Sequence, residues 1–292
     1  MRSRHPASAI PPEGLFVLGG ISQYVGAAIA VVLFDTFSAQ NVALLRVLAA
    51  GLIVVGIRRS WRQEWNRERL IGAALFGSVL AAMNLSFYLA IDNLPLGNAV
   101  AIEFLGPISV AALGARTRRS VSAVVLAGLG VVLISGVQPE GSLVGVGFAL
   151  LAALLWAGYI VLGHRVARSG SGIDGLGVGM AIGALVIAPV AAPGIGATLD
   201  EPVLLLLALA TGLFSNAIPY GIDQVVMARL SRSRFALLQS LLPVTATIVG
   251  FLALGQVLRP VELAGVSMVV VAIWLGGRAP ELADTVSSGV HG

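Results

Sequence analysis

Ten apolar runs of about twenty residues follow one another along this chain, separated by short polar connectors. They cover residues 14–34, 41–57, 70–91, 97–115, 120–137, 143–163, 175–192, 203–225, 235–254 and 261–277. A helix of about 20 residues, rising about 1.5 Å per residue, crosses the hydrocarbon core of a bilayer. The runs are continuously apolar, whereas a strand of a membrane barrel would alternate, so the pattern predicts helices. The connectors are too short to hold an extramembrane domain. The expectation is an all-α membrane protein of ten transmembrane helices, with the bilayer itself as partner.

Composition strengthens this. Of 292 residues, 57% are hydrophobic and 11% charged, against about 25% charged in a soluble domain. That is too little charge to coat a soluble enzyme, and the opposite of a disordered chain. Cys is absent and only His5, His164 and His291 are present, which removes disulfides, thiolate chemistry and a metal cluster. All 18 basic residues are Arg, so the Lys of a phosphate-binding loop is missing. No cofactor, metal or nucleic acid is expected, and no enzymatic activity. The net charge of +4 reads instead as a topology signal.

With the N-terminus placed inside, the inner segments hold Arg2, Arg4, Arg58, Arg59, Arg62, Arg67, Arg69, Arg116, Arg118, Arg119, Arg165, Arg168, Arg229, Arg232, Arg234 and Arg278. The outer connectors hold Arg259, and Arg46 lies within the second run. This asymmetry predicts both termini in the cytoplasm. Asp35, Asp92, Glu140, Asp200 and Glu201 fall outside. The first run is of full span length, with no small-residue cleavage site after it, and reads as an uncleaved helix. The expected location is the cytoplasmic (inner) membrane of a prokaryote, crossed many times.

The segment Leu94–Pro107 aligns with Leu230–Pro243 at an offset of 136, setting Pro107 on Pro243 and Glu103 on Gln239. Leu126-Ala127-Gly128 then matches Leu263-Ala264-Gly265. Ten runs divide into five and five, 14–137 and 143–277, followed by a polar cytoplasmic tail, 278–292. Five is odd, so the second half enters from the opposite side. Inverted repeats of this kind place a substrate site between the halves.

Glu103 is the most informative residue. A carboxylate inside a span is costly and must face an interior or a wet cavity. Pro107 follows four residues later, and its ring and missing N–H free the carbonyl of Glu103. Pro243 does the same for Gln239, and Pro219 for Ser215. The arrangement suits a cavity binding a cation, an amine or a proton; the alternative is a structural kink. Asn84 and Tyr88 share a helix face, as do Asn216 and Tyr220. Either pair can line the cavity or join helices by hydrogen bonds. Trp156, Tyr159 and Gln23 are further lining candidates, with an interfacial belt as the other reading of Tyr159. Arg46 can pair with Glu103 or snorkel to the outer surface. Asp223 reads as a partner of Arg229 or Arg232, and His164 as a solvated connector residue. Gly175, Gly179 and Gly183, and Ala73, Gly77 and Ala81, mark close helix contacts.

Several of these residues fall in a recognisable pattern. Tyr88-Leu89-Ala90-Ile91, Leu94-Pro95-Leu96-Gly97, Ala99 to Phe104 and Gly106-Pro107 resemble the most characteristic stretch of the threonine and homoserine exporter family. This is part of the EamA branch of the drug/metabolite transporter superfamily. Ala43 to Arg46, Trp156 to Ile160, Ile218-Pro219-Tyr220 and Leu254-Gly255-Gln256 follow in order. The resemblance implies two inverted five-helix EamA repeats and secondary export of small metabolites, typically amino acids or analogues, by proton antiport and alternating access. The substrate is then a small molecule exchanged for protons, carried by a monomer or homodimer. Other open readings are export of drugs, nucleobases or other metabolites, and facilitation without proton coupling. Two departures stand out: Leu242-Pro243 where the family tends to have Glu-Pro, and Asp223 where it tends to have Glu.

Overall fold

A computed structural model of the chain describes residues 10–34, 36–137, 142–196, 201–254 and 259–277. Residues 1–9, Asp35, Glu140, Asp200, Gln256 and the predicted tail 278–292 lie outside the described residues. Among the described residues the regular elements are helices, with no strand. They are α1 (Pro12–Leu33), α2 (Ala39–Arg58), α3 (Arg67–Ile91), α4 (Leu96–Glu103), α5 (Leu105–Leu113), α6 (Arg118–Ser135) and α7 (Leu143–Arg168). Then come α8 (Gly172–Ala191), α9 (Pro202–Gly212), α10 (Ile218–Met227), α11 (Arg232–Leu238), α12 (Leu241–Leu254) and α13 (Pro260–Gly277). Among the described residues, eight helical stretches are long and apolar enough to cross a membrane, counting α4–α5 and α9–α10 as one each. Pro260–Gly276 is apolar but shorter. The chain is an α-helical membrane protein.

The helices begin where polar side chains accept the orphan N–H groups of the first turn. Ser38 and Asn41 form a capping box at α2. Asn66 accepts from the Arg69 N–H at 2.8 Å, Thr117 from Ser120 at 3.1 Å and Ser142 from Gly145 at 3.0 Å. At the end where α2 gives way to α3, Asp174 of α8 is buried and accepts from Arg58, Ser60 and Gln63 at 2.9, 2.8 and 3.3 Å.

Three long helices are interrupted at their prolines. The helix breaks at Phe104, between α4 and α5, ahead of Pro107. It breaks again at Gln239–Ser240, between α11 and α12, ahead of Pro243. Ahead of Pro219 it widens instead into one π turn, Leu213–Ala217, joining α9 to α10. A proline withholds the N–H that the i−4 carbonyl needs, and these distortions absorb that loss. Ser22 of α1 donates to the Phe214 carbonyl within the π turn at 2.7 Å.

Packing follows the small residues. α3 lies between α7 and α8, α2 lies on α8, and α6 lies on α13. α1 runs along α9, the π turn, α10 and α12. A Cβ on Gly77 would sit 1.8 Å from the Gly179 carbonyl oxygen, and one on Gly183 2.2 Å from that of Gly77. The two predicted stripes therefore meet backbone to backbone, except that Gly175 turns toward Val166 and Ser171. Gly130 and Gly265 make the equivalent contact between α6 and α13, where an added Cβ would approach the other residue's carbonyl oxygen to 2.8 and 2.7 Å. Large apolar side chains such as Leu154, Leu185 and Leu206 point outward, the surface that lipid solvates. His164, expected in a solvated connector, lies instead inside α7, buried, with Nε2 3.1 Å from the Leu230 carbonyl oxygen.

Candidate functional site

The helix breaks converge on one cavity of about 810 Å³. Its deep wall carries Tyr220 and Asp223 of α10, Gln239 at the second break and Trp156 of α7. Asn84 and Tyr88 of α3, Arg46 of α2, Glu103 of α4, Gln23 and Tyr24 of α1 and Thr247 of α12 add to the polar lining. Toward one end of the bundle the lining passes to Leu96, Gly97, Ser135, Arg259 and Glu262. These lie where α4 and α13 begin and α6 ends, so the cavity runs from the bundle interior to that end.

Glu103 is the last residue of α4, at the break, and is buried. Its carboxyl has no hydrogen-bond or ion-pair partner among the described residues. Phe104 beside it turns its ring edge-on to Trp156, with centroids 4.9 Å apart. The break thus aims the carboxyl into the cavity and anchors the next side chain in the wall.

Arg46 neither snorkels nor pairs with Glu103. It turns inward, is buried, and donates from Nε to Asn216 Oδ1 at 3.0 Å and from Nη1 to the Tyr88 hydroxyl. The guanidinium also lies over the Tyr88 ring, 5.3 Å from its centroid. Asn216 is therefore a support behind the cavity wall and does not line it. Its position in the π turn fixes which way its amide oxygen points. Asn84 donates to the Tyr220 hydroxyl at 3.2 Å and to the Leu80 carbonyl at 2.9 Å. Amides and phenols are thus shared across the halves of the chain.

Tyr159 is fully buried, away from any interfacial belt, and likewise stands behind the lining. It stacks on Phe76 with centroids 5.4 Å apart and donates to Asp223 Oδ2 at 2.8 Å. Gln239 also hydrogen-bonds Asp223. Asp223, read from the sequence as a partner for Arg229 or Arg232, faces the cavity instead. Pro219 and Pro243 touch the cavity, and Pro107 shapes it from behind the break.

Tyr24, a residue of the candidate site, was not singled out from the sequence. Tyr24 lines the cavity and donates to the Leu242 carbonyl at 2.7 Å, just before Pro243. A phenol in an apolar helix needs such a partner, which was the available signal. Asp223 was visible, but its direction was not. No group of His, Asp and Glu among the described residues could hold a metal ion.

Residues 143–277 match the EamA-like transporter family. Over 250 residues the chain is 34% identical to the threonine/homoserine exporter RhtA of Escherichia coli (strain K12), covering 85% of this chain and 84% of the relative. Against the threonine/homoserine exporter RhtA of Salmonella typhimurium (strain LT2) the identity is 33% over the same length and shares. A solved crystal structure at 16% identity superposes with a TM-score of 0.71, covering 93% of this chain and 96% of that one. That likeness concerns the fold alone.

Proposed function

The chain belongs to the EamA-like transporter family, and from that membership we propose that it exports small amino acids of the threonine and homoserine kind in exchange for protons. The name shared by its enterobacterial relatives supports the substrate class. The proposed location is the inner membrane, with both termini cytoplasmic, as the distribution of arginines favours. α11–α12 and α13 act as the ninth and tenth spans in this reading.

The two halves act as inverted repeats. Support comes from the packing partners, which exchange between halves. α3 meets α8, and α9 meets α2; α5 meets α7, and α12 meets α1. The paired breaks before Pro107 and Pro243 sit at matching positions. With the N-terminus inside, the mouth near Gly97, Ser135 and Glu262 is extracellular, and the cavity is open to the outside. Alternating access closes this mouth and opens the opposite end.

One observation carries the coupling: Glu103 presents an unpartnered carboxyl to the cavity from a helix break. A proton taken from outside neutralises it after substrate leaves, and the proton is released inside when substrate enters. The test uses purified protein in liposomes enclosing a pH-sensitive dye, with wild type and Glu103→Gln compared under a threonine or homoserine gradient. Substrate-dependent, saturable proton movement that disappears in the variant is expected. Labelled threonine crossing without proton movement leaves a facilitator. No movement of any amino acid by folded protein shifts the substrate to drugs or nucleobases.

A further inference from the structure

Arg46 and Glu103, a permanent cation and a carboxyl that is anionic once its proton leaves, line one cavity, yet neither forms an ion pair among the described residues. The partners of Arg46 are neutral: the Asn216 amide oxygen and the Tyr88 hydroxyl. These use Nε and Nη1 and hold the guanidinium plane in place, while Nη2 has no hydrogen-bond partner among the described residues. Glu103 has none either. Tyr220 lines the same cavity within electrostatic reach of Arg46, Glu103 and Asp223, its hydroxyl hydrogen-bonded by Asn84.

A buried guanidinium and a buried carboxyl normally pair, because an unpaired buried charge costs several kcal/mol. Here the helix break holds Glu103 on one wall, and Tyr88 with Asn216 holds Arg46 on another. A ligand bearing both charges a short distance apart satisfies both groups at once. A guanidinium with an open nitrogen is suited to a carboxylate.

Resting on the export reading above, we propose that the cavity recognises its substrate as a zwitterion, with Arg46 taking the α-carboxylate and Glu103 the α-ammonium. Arg46 is then a specificity-determining residue, and Tyr88 and Asn216 are its positioning residues. The substrate class is free α-amino acids. Amino-acid esters and lactones, which keep the ammonium and lose the carboxylate, are excluded, as are N-acylated acids.

The test is competition against labelled threonine transport in proteoliposomes holding the full chain. The competitors are homoserine, threonine methyl ester, homoserine lactone and N-acetylthreonine. In wild type only homoserine competes strongly. Arg46→Gln raises the KM for threonine by roughly tenfold or more, the loss of one charge-assisted hydrogen bond, and leaves the weak competition by the methyl ester unchanged. Arg46→Lys keeps part of the discrimination. Ester or lactone competing as well as homoserine in wild type overturns the proposal without any variant having to fold. So does an Arg46→Gln that weakens threonine and ester equally. Failure of wild type to move any amino acid overturns the export reading and this proposal together; threonine transport without discrimination overturns this proposal alone.

Discussion

Asn84 on α3 donates a hydrogen bond of 3.2 Å to the Tyr220 hydroxyl on α10, and the two residues are 136 positions apart. That is the spacing that sets Pro107 against Pro243 and Glu103 against Gln239. Both residues line the cavity, and in the proposed inverted-repeat reading such matched positions meet near the axis relating the halves. Tyr220→Phe removes the acceptor but leaves Asn84 its bond to Leu80. The expected loss of stability is small, about 0.6 kcal/mol and at most about 1.7. Thermal unfolding in detergent measures it, and a larger fall in transport than in stability places the hydroxyl in substrate handling.

Glu103→Gln is expected to unfold at the same temperature as wild type or higher. The carboxyl has no partner to lose, and an amide is less costly to bury than a charge. The same unfolding assay checks this. A marked fall in stability means that Glu103 makes a structural contact.

Asp223→Ala behaves differently. It strips the Tyr159 hydroxyl, buried behind the cavity wall, of its acceptor at 2.8 Å. A buried donor left unsatisfied costs about 1–3 kcal/mol. Asp223→Asn keeps an acceptor oxygen, so its loss is smaller. The pair of melting temperatures separates the hydrogen bond from the charge.

The contact between α3 and α8 has no spare space. Gly179→Ala places a methyl group 2.4 Å from the Ala73 carbonyl oxygen, and both backbones must shift. Overpacking of this kind costs about 1–3 kcal/mol, occasionally more. Gly72→Ala, on α3 with nothing within 4 Å of the added carbon, is neutral or stabilises by up to about 1 kcal/mol. Comparing the yield of folded, monodisperse protein for the two variants tests the close approach.

Asp174 ties α8 to the segment after α2 through Arg58, Ser60 and Gln63. Its side chain is 4% exposed, against 50% for Arg58. Asp174→Ala is therefore expected to cost about 1–3 kcal/mol by stranding the buried Ser60 hydroxyl. Arg58→Gln, at the solvated side of the pair, costs about 1 kcal/mol or less. Chemical unfolding of both variants gives the ratio.

The amino-acid sequence by itself determines where the helices lie and where they break. A backbone in lipid must satisfy its own hydrogen bonds locally, so a run of apolar residues states its own length and a proline states its own interruption. The predicted runs and the helices agree within a few residues at nearly every end, and the breaks fall before Pro107 and Pro243. The stripe Ala73, Gly77, Ala81 named its contact for the same reason, since small residues mark where backbones approach.

Only the tertiary structure decided which polar side chains meet. Helices apolar nearly all the way round carry no strong polar face to set their rotation. Arg46 turns inward because Tyr88 and Asn216, 42 and 170 positions away, offer it acceptors. Asp223 faces the cavity because Tyr159, 64 positions away, donates to it, and Tyr24 finds the Leu242 carbonyl 218 positions away. Such partners are joined by helix packing, and no local pattern encodes them.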